Sequence, residues 1–455
     1  MDDGAAGTRD GRAALRESHG EDEGTHMDVN IGLLGCGTVG AGVVELMRRR
    51  ADKITGMTGL RPTIARVLVR DVGKPRAVVL SAGQLTNDPQ EIIGDPDIRV
   101  VIETIGGIEP ARSLILQAIR AGKHVITANK DLIALHGAEI IAAAEGARVD
   151  VLYEAAVGGA IPLIRPLRES LTANDITDIK GIINGTTNYI LSKMTATGAD
   201  FSAVLREAQE LGYAEADPSS DVDGLDAARK LTILSSIAFH SAVNLADVQV
   251  TGIRAVTARD VYYARELGTV IKLLAAASDR DGELTLHVRP TLIPQDHPLA
   301  HVSDAYNALY VRGDASGDLM FFGRGAGSLP TASAVIGDVI EVLRNVSQSV
   351  PGRVRTLVHS HKPVNHNAGE PARHYLRMTV ADRPGVFGQI AGIFGDAEVS
   401  METVLQKRVD EGRAEVVVVT HEVPAARLAA ILDTLGGLPD LARIETSMPV
   451  ERGAY

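Results

Sequence analysis

Apolar and polar positions follow two rhythms along this chain, and the rhythm changes twice. Val29–Leu34, Thr63–Arg70, Arg99–Thr104, His124–Ala128 and Val149–Glu154 are short apolar or β-branched runs of strand length. Between them, Val39–Ile54 and Pro110–Ala121 place apolar residues every three to four positions, as a helix with one buried face requires. Strands with few polar interruptions that alternate with helices predict parallel βαβ units. The fold class is therefore α/β, with a doubly wound Rossmann-type parallel sheet over residues 27–160.

From residue 161 to 325 the pattern becomes α+β and predicts a second domain. Helices are expected over Phe201–Leu211, Gly224–Ala238 and Ala258–Ala276, and strands over Glu283–Leu292, Asn307–Arg312 and Asp318–Phe322. Residues 326–350, with a clear helix at Thr331–Asn345, are read as returning to the first domain. Residues 351–373 contain Pro351, Pro363 and Pro371 and little periodicity, which suits a linker. His359, His361 and His366 lie in it and are read as solvated, because a linker offers a metal little preformed structure. His374–Val450 then reads βαββαβ, enough for a small ferredoxin-like sandwich within a third domain, 374–455. Residues 1–26 hold seven acids, three arginines and five glycines without apolar periodicity, and are expected to be a disordered tail.

Composition narrows the function classes. A chain of 455 residues suggests about three domains, and 45% hydrophobic residues can fill their cores. No apolar run approaches the ~20 residues of a membrane span. A single cysteine excludes an internal disulfide and a cysteine-based zinc site, and fits a reducing, cytoplasmic setting. A net charge of −12, 3% aromatics and no tryptophan argue against a nucleic-acid partner.

Gly35-Cys36-Gly37-Thr38-Val39-Gly40 is a G-x-G-x-x-G turn between a predicted strand and a predicted helix. There the glycines allow close approach to a dinucleotide pyrophosphate, whose charge the helix N-terminus stabilises. Arg70-Asp71, with Lys74 and Arg76 just beyond, closes the second strand. An acid there would hold the ribose of NAD and a base the extra phosphate of NADP, so both cofactors are open; the three bases favour NADP. Cys36 reads as a small filler side chain.

The densest chemistry is Ala208–Lys230, where Glu215, Asp217, Asp221, Asp223 and Asp226 lie within 12 residues and precede Lys230. Asp226 and Lys230 would share a helix face. A calcium loop is excluded because Lys230 falls where the bidentate acid should be. A capped helix with a surface ion pair remains an alternative on spacing alone.

The segment Ala208, Gly212-Tyr213-Ala214, Asp217-Pro218, Asp221-Val222, Gly224, Asp226 and Lys230 resembles the homoserine dehydrogenase signature. So do Thr127-Ala128-Asn129-Lys130, Glu154-Ala155-Ala156-Val157-Gly158-Gly159, Asn184-Gly185-Thr186-Thr187-Asn188-Tyr189 and Gly323-Arg324-Gly325-Ala326-Gly327 with Thr331-Ala332. The likeness runs in order over about residues 28–450. It implies NAD(P)-dependent interconversion of L-homoserine and L-aspartate 4-semialdehyde, in threonine, methionine and isoleucine biosynthesis. By the family's pattern, Lys230 is the acid/base and Lys130 a second cation. A catalytic lysine would need burial or a neighbouring cation to lower its pKa, and Asp226 would oppose that. Glu215 and Asp226 would contact the substrate, Asp221 would support the pocket, and Gly185 and Thr186 would border it. Gly35, Gly37, Thr38, Val39, Gly40, Arg70, Thr104, Lys130, Gly325 and Gly327 are the expected cofactor positions. Glu154, Val157, Gly159 and Ile161 match the family's monovalent-cation loop, for sodium or potassium, largely through backbone carbonyls. A homodimer or homotetramer is implied.

The C-terminal module resembles an ACT domain, with Asp382-Arg383-Pro384-Gly385-Val386-Phe387 as its strand-to-helix turn. Asp382, Gly385 and Gln406 are the expected contacts of an L-threonine effector. Binding would inhibit by a coupling of typically about 1–3 kcal/mol. A dimerisation module without effector is the alternative.

Overall fold

Residues 27–352, 361–366, 371–410 and 412–453 are described by the computed structural model. The expected tail, His359 and part of the expected linker lie outside them.

The first unit runs β1 (Met27–Leu34), α1 (Thr38–Thr58), β2 (Leu60–Leu68), β3 (Leu85–Thr86), α2 (Gln90–Ile93), β4 (Ile98–Glu103), α3 (Ala111–Arg120), β5 (His124–Thr127), α4 (Lys130–Ala147) and β6 (Val151–Leu152). Its strands form one parallel sheet in the order β3-β2-β1-β4-β5-β6. The order reverses between β1 and β4, and a crevice at such a switch point is where doubly wound sheets bind ligands. β6 is shorter than the run Val149–Glu154 suggests, because Glu154 leaves the strand for a 3-10 turn and a capping role described below.

The second unit contains β7 (Ile176–Ile182), α5 (Gly185–Thr197), α6 (Phe201–Glu210), α7 (Ser219–Val222), α8 (Leu225–Ala238), β8 (Gln249–Val250), α9 (Ala258–Glu266), β9 (Thr269–Arg280), β10 (Glu283–Pro294), β11 (Tyr306–Gly313) and β12 (Gly317–Arg324). The helix expected over Ala258–Ala276 is a correction: it ends at Glu266, and Thr269–Arg280 is a strand. Gly268, at φ +68°, ends the helical path. The alanine-rich stretch then pairs residue for residue with all of β10, so sheet pairing overrides its helix propensity. α10 (Ser328–Ser347) leaves this unit and packs on α1, burying Ala332, Val335 and Val339 with Val43, Val44 and Met47.

The third unit is β13 (Arg373–Ala381), α11 (Val386–Asp396), β14 (Met401–Asp410), β15 (Arg413–Thr420), α12 (Ala425–Gly436) and β16 (Leu441–Val450), the expected βαββαβ. Leu376, Met378, Val416 and Val418 face α11 and α12 and form a separate core with Ile390, Phe394 and Ile431. The second and third units share one mixed sheet, ordered β12-β11-β7-β9-β10-β16-β13-β15-β14, with β8 also on β10. The join is narrow: Leu292 pairs with Val450, and Glu451 N donates to Leu292 O at 2.8 Å. Residues 361–366, expected to be plain linker, are partly held. Leu284 N donates to Pro363 O and Asn365 N to Leu284 O, both at 2.8 Å. Among the described residues no helix is long and apolar enough to cross a membrane.

Candidate active site

Three helices bring the singled-out side chains together, and local hydrogen bonding explains where two of them begin. Thr127 Oγ1 donates to the buried Glu103 carboxylate at 2.5 Å and accepts from Asn129 N at 3.0 Å. Asn129 Oδ1 then accepts from Leu132 N at 3.1 Å, and its amide donates to Gly107 O at 2.6 Å. A side-chain oxygen that takes up an orphan helix N–H is an N-cap. Lys130 therefore opens α4 just beyond the carboxyl end of β5. Asn184 caps α5 in the same way through Thr187 N at 2.8 Å, which sets Gly185 and Thr186 in its first turn.

Asp226 is the shared point. Its carboxylate is 3% exposed, with Lys130 Nζ 2.8 Å from Oδ1 and Lys230 Nζ 2.7 Å from Oδ2. Lys230 also donates to Ile183 O at 2.8 Å. Burial alone would raise the Asp226 carboxyl, but Lys230 and Lys130 outweigh it and hold it well below the usual carboxylate range. Burial alone would lower Lys130, but Asp226, then Asp131 and Asp221, prevail, and its pKa lies above the ordinary lysine value. The opposition expected from Asp226 thus wins at Lys130.

These groups line a cleft of about 530 Å³ with Gly185, Thr186, Tyr213, Asp221, Asn307 and the Arg324–Gly327 turn. Thr186 Oγ1 donates to Tyr213 O at 2.8 Å, and the Tyr213 ring stacks on Tyr189 with centroids 4.6 Å apart. Gly325 is required here, since a Cβ would lie 2.1 Å from the Asn307 amide. Glu215 is exposed on the turn between α6 and α7 and is not among the residues lining this cleft. Its backbone carbonyl accepts from Gln209 at 3.0 Å, which holds the turn outward.

The glycine loop sits at the switch point of the first sheet. Gly35 adopts φ +96° and donates to Leu68 O at 3.0 Å, while Gly37 ends the turn and Thr38, Val39 and Gly40 open α1. A Cβ on Gly37 would meet nothing within 4 Å, so the loop's outer side is open to a pyrophosphate. A Cβ on Gly40 would lie 2.4 Å from Gly35 O, so close packing needs glycine there. Thr104 Oγ1 donates to Gly35 O at 3.0 Å, so its hydroxyl braces the loop. Ser328 Oγ donates to Thr38 O at 2.8 Å and joins α10, just past Gly327, to the same loop. Arg70 is exposed at the end of β2. Arg76 donates to Asp71 O and is close enough to Cys36 to oppose the rise that burial imposes on that thiol. A raised thiol pKa agrees with the filler reading of Cys36.

Glu154, Val157, Gly159 and Ile161 form a buried turn between the first two units. The Glu154 carboxylate is occupied: it accepts from Leu163 N (2.6 Å), Ile164 N (2.9 Å) and Arg165 N (2.7 Å). Among the described residues, no loop or turn backbone N–H is paired with the Val157 or Gly159 carbonyl. In the third unit, Asp382, Gly385 and Gln406 line one cavity of about 360 Å³ with Phe387 and Val416. A further cavity of about 370 Å³ lies on the open face of the large sheet, around Arg289 and His287, away from the lysines.

Asn184 and Glu103 were not picked out from the sequence as site residues. Asn184 lies in the Asn184–Tyr189 motif, but no helix is expected after it from the sequence, so the capping signal has no helix to attach to; nothing local marks Glu103.

Comparison with known proteins decides the family. The homoserine dehydrogenase family model matches residues 162–340, and its NAD-binding domain model matches residues 35–154. A Synechocystis homoserine dehydrogenase is 48% identical over 433 residues, covering 93% of this chain and 100% of that protein. The chain belongs to the homoserine dehydrogenase family. An ACT domain model matches residues 374–440. The Bacillus subtilis homoserine dehydrogenase is 42% identical, covering 94% of this chain and 99% of its own length. The crystal structure of a Thiobacillus denitrificans homoserine dehydrogenase superposes with a TM-score of 0.88 at 43% identity, covering 93% of this chain and 98% of that one. A hyperthermophilic archaeal homoserine dehydrogenase solved with NADPH gives a TM-score of 0.59 at 26% identity, over 70% of this chain and 98% of that one. The chain is an NAD(P)-dependent oxidoreductase acting on a CH–OH group, with a C-terminal ACT domain.

Proposed function

We propose that the chain reversibly reduces L-aspartate 4-semialdehyde to L-homoserine at the cleft around Asp226, in the biosynthesis of threonine, methionine and isoleucine. The observation that carries this reading is one buried carboxylate shared by two lysines that line a cleft, whose Gly325-Ala326-Gly327 turn leads into Ser328, hydrogen-bonded to the dinucleotide loop. The nicotinamide, when bound, supplies or accepts the hydride. Lys230 is the acid/base residue: as an ammonium it donates a proton to the substrate oxygen, and as an amine it takes that proton back in oxidation. Lys130, held protonated by Asp226, places a second positive charge at the developing alkoxide. Asp226 and Asp221 suit the substrate's ammonium group, and Gly185 and Thr186 border it. Glu215 is two residues from cleft-lining Tyr213 and would join the substrate if that turn folded inward.

The cofactor is read as NADP in preference to NAD, from Arg70, Lys74 and Arg76 at the end of β2. The carbonyls of Val157 and Gly159 would hold sodium or potassium, with Glu154 bracing the loop and Ile161 closing it. The ACT domain is read as an L-threonine site around Asp382, Gly385 and Gln406, and the assembly as a homodimer or homotetramer. A cytoplasmic location suits the single, reduced cysteine. The test is reduction of NADP⁺ and of NAD⁺ on adding L-homoserine, with and without L-threonine. Faster NADP⁺ turnover that threonine suppresses is expected. No turnover with either cofactor, in a protein that still binds nucleotide, would contradict the substrate.

A further inference from the structure

Asp226 and Asp221 present two carboxylates to one cleft. Asp226 spends Oδ1 on Lys130 and Oδ2 on Lys230, while Asp221 approaches from α7. Like charges repel, so a donor shared between the two fixes their spacing. One side chain stands between them. The Asn184 amide nitrogen lies 2.6 Å from Asp221 Oδ1 and 2.9 Å from Asp226 Oδ2. An amide carries two N–H groups, so it can serve both acceptors at once.

The amide's orientation is fixed from its other end. Asn184 Oδ1 accepts from Thr187 N at 2.8 Å and from Thr187 Oγ1 at 2.9 Å. A flipped amide would give up the helix cap and turn its carbonyl oxygen toward two carboxylates. Asn184 is 4% exposed and Thr187 1% exposed, so water does not substitute readily for either contact.

We propose that Asn184 is a positioning residue for this reaction: its amide bridges Asp221 and Asp226, and so holds the ionised Asp226 aimed at both lysines. This rests on the roles given above to Lys130, Asp226 and Lys230. Asn184 lines the same cleft, but its amide N–H groups are spent on Asp221 and Asp226, so it acts through Asp226. Helix capping and carboxylate bridging are separate functions of its two ends, and they can be separated by substitution.

Asn184→Ser and Asn184→Asp both keep an oxygen able to cap α5, and both remove the amide donor. The charged groups around the site are Asp221, Asp226, Lys130 and Lys230, with Asp131 acting on Lys130 and Asp304 and Arg324 also lining the cleft. Asn184→Ser is expected to lower kcat by about ten- to a hundredfold, the usual scale for a supporting hydrogen bond at a reaction site. NADPH affinity should be unchanged. Asn184→Asp adds a third carboxylate to the pair, so the acid limb of its pH–kcat profile should move upward by about a pH unit or more. Wild-type kcat and an unshifted profile in both variants would overturn the proposal and leave Asn184 a helix cap. If neither variant folds, Thr187→Val decides. It removes only the hydroxyl that orients the amide, so a severalfold fall in kcat supports the proposal and wild-type kcat overturns it. Lys230→Ala run in parallel separates the two levels: turnover surviving in that variant defeats the underlying site reading rather than the role of Asn184.

Discussion

Two buried charge clusters in this molecule have similar ingredients and opposite surroundings. At the active site, Asp226 is buried between Lys130 and Lys230, yet the Lys130 side chain is 36% exposed and both lysines line an open cleft. At the ACT domain, Arg377 of β13 reaches Asp260 on α9 at 2.7 Å and Glu415 of β15 at 3.0 Å, with no side chain of the three more than 6% exposed. Each acceptor there is answered again. Asp260 takes Thr257 N (3.0 Å) and Thr257 Oγ1 (2.6 Å), and Glu415 takes Tyr263 Oη (2.8 Å) and Arg259. At the cleft the charged groups line an open cavity; at the ACT interface the Arg377–Asp260–Glu415 core is closed, and Arg259 reaches solvent only at its rim. The first arrangement can do chemistry, while the second can only hold the sheet of the third unit to α9. A perturbed pKa does not make this distinction. Lys272, which burial pulls down to about 8, donates to Val302 O and Asn188 and lies outside the cleft.

The contrast can be broken from either side. Asp226→Asn keeps the shape and removes the charge that both lysines share. Turnover should fall by about a hundred- to a thousandfold with NADPH affinity little changed, and the unfolding midpoint should fall as well because Lys230 loses its buried counter-ion, in steady-state kinetics and calorimetry. Arg377→Met should cost stability and spare turnover. It strands Asp260 in a buried site, with Glu415 keeping Arg259 and Tyr263, at a cost of about 3–5 kcal/mol, read by urea unfolding, while basal turnover stays within a few fold of wild type. A smaller effect comes from acid. Burial, aided by Arg289, holds His374 down to about 4 from its ordinary 6.5. The fold favours the neutral ring, so this contribution is complete above pH 6.5. It is lost as pH falls from 6.5 to about 4, while the unfolded chain takes up the proton. The urea midpoint should drop over that window, and less so in His374→Gln.

How much of this was legible in the sequence follows from how local each signal is. Strands buried on both faces show as apolar runs, so β1, β4 and β5 were readable within a residue or two. The βαββαβ order of the last unit was readable for the same reason. β9 was not, because Leu-Leu-Ala-Ala-Ala favours a helix by itself and becomes a strand only through its register with β10. The motif around Asp226 and Lys230 was legible as a family signature. The bridge made by Asn184 was not, because it spans 37 and 42 positions of chain. Arg377 and Glu415 carry no local mark of burial in the sequence, and in the structure they meet α9 through Asp260 and Arg259. Glu215 carries the right sequence context and stands outside the cleft, since motif spacing does not fix the path of a turn.

The central claim is that the lysines on Asp226 carry the proton chemistry. Single-turnover reduction of L-aspartate 4-semialdehyde by prebound NADPH, followed by nicotinamide absorbance in wild type and Lys230→Ala, tests it most directly. The account predicts NADPH binding at wild-type affinity and hydride transfer slowed by about a hundred- to ten-thousandfold, the span expected for losing a positioned proton donor. Hydride transfer at the wild-type rate in Lys230→Ala would contradict it.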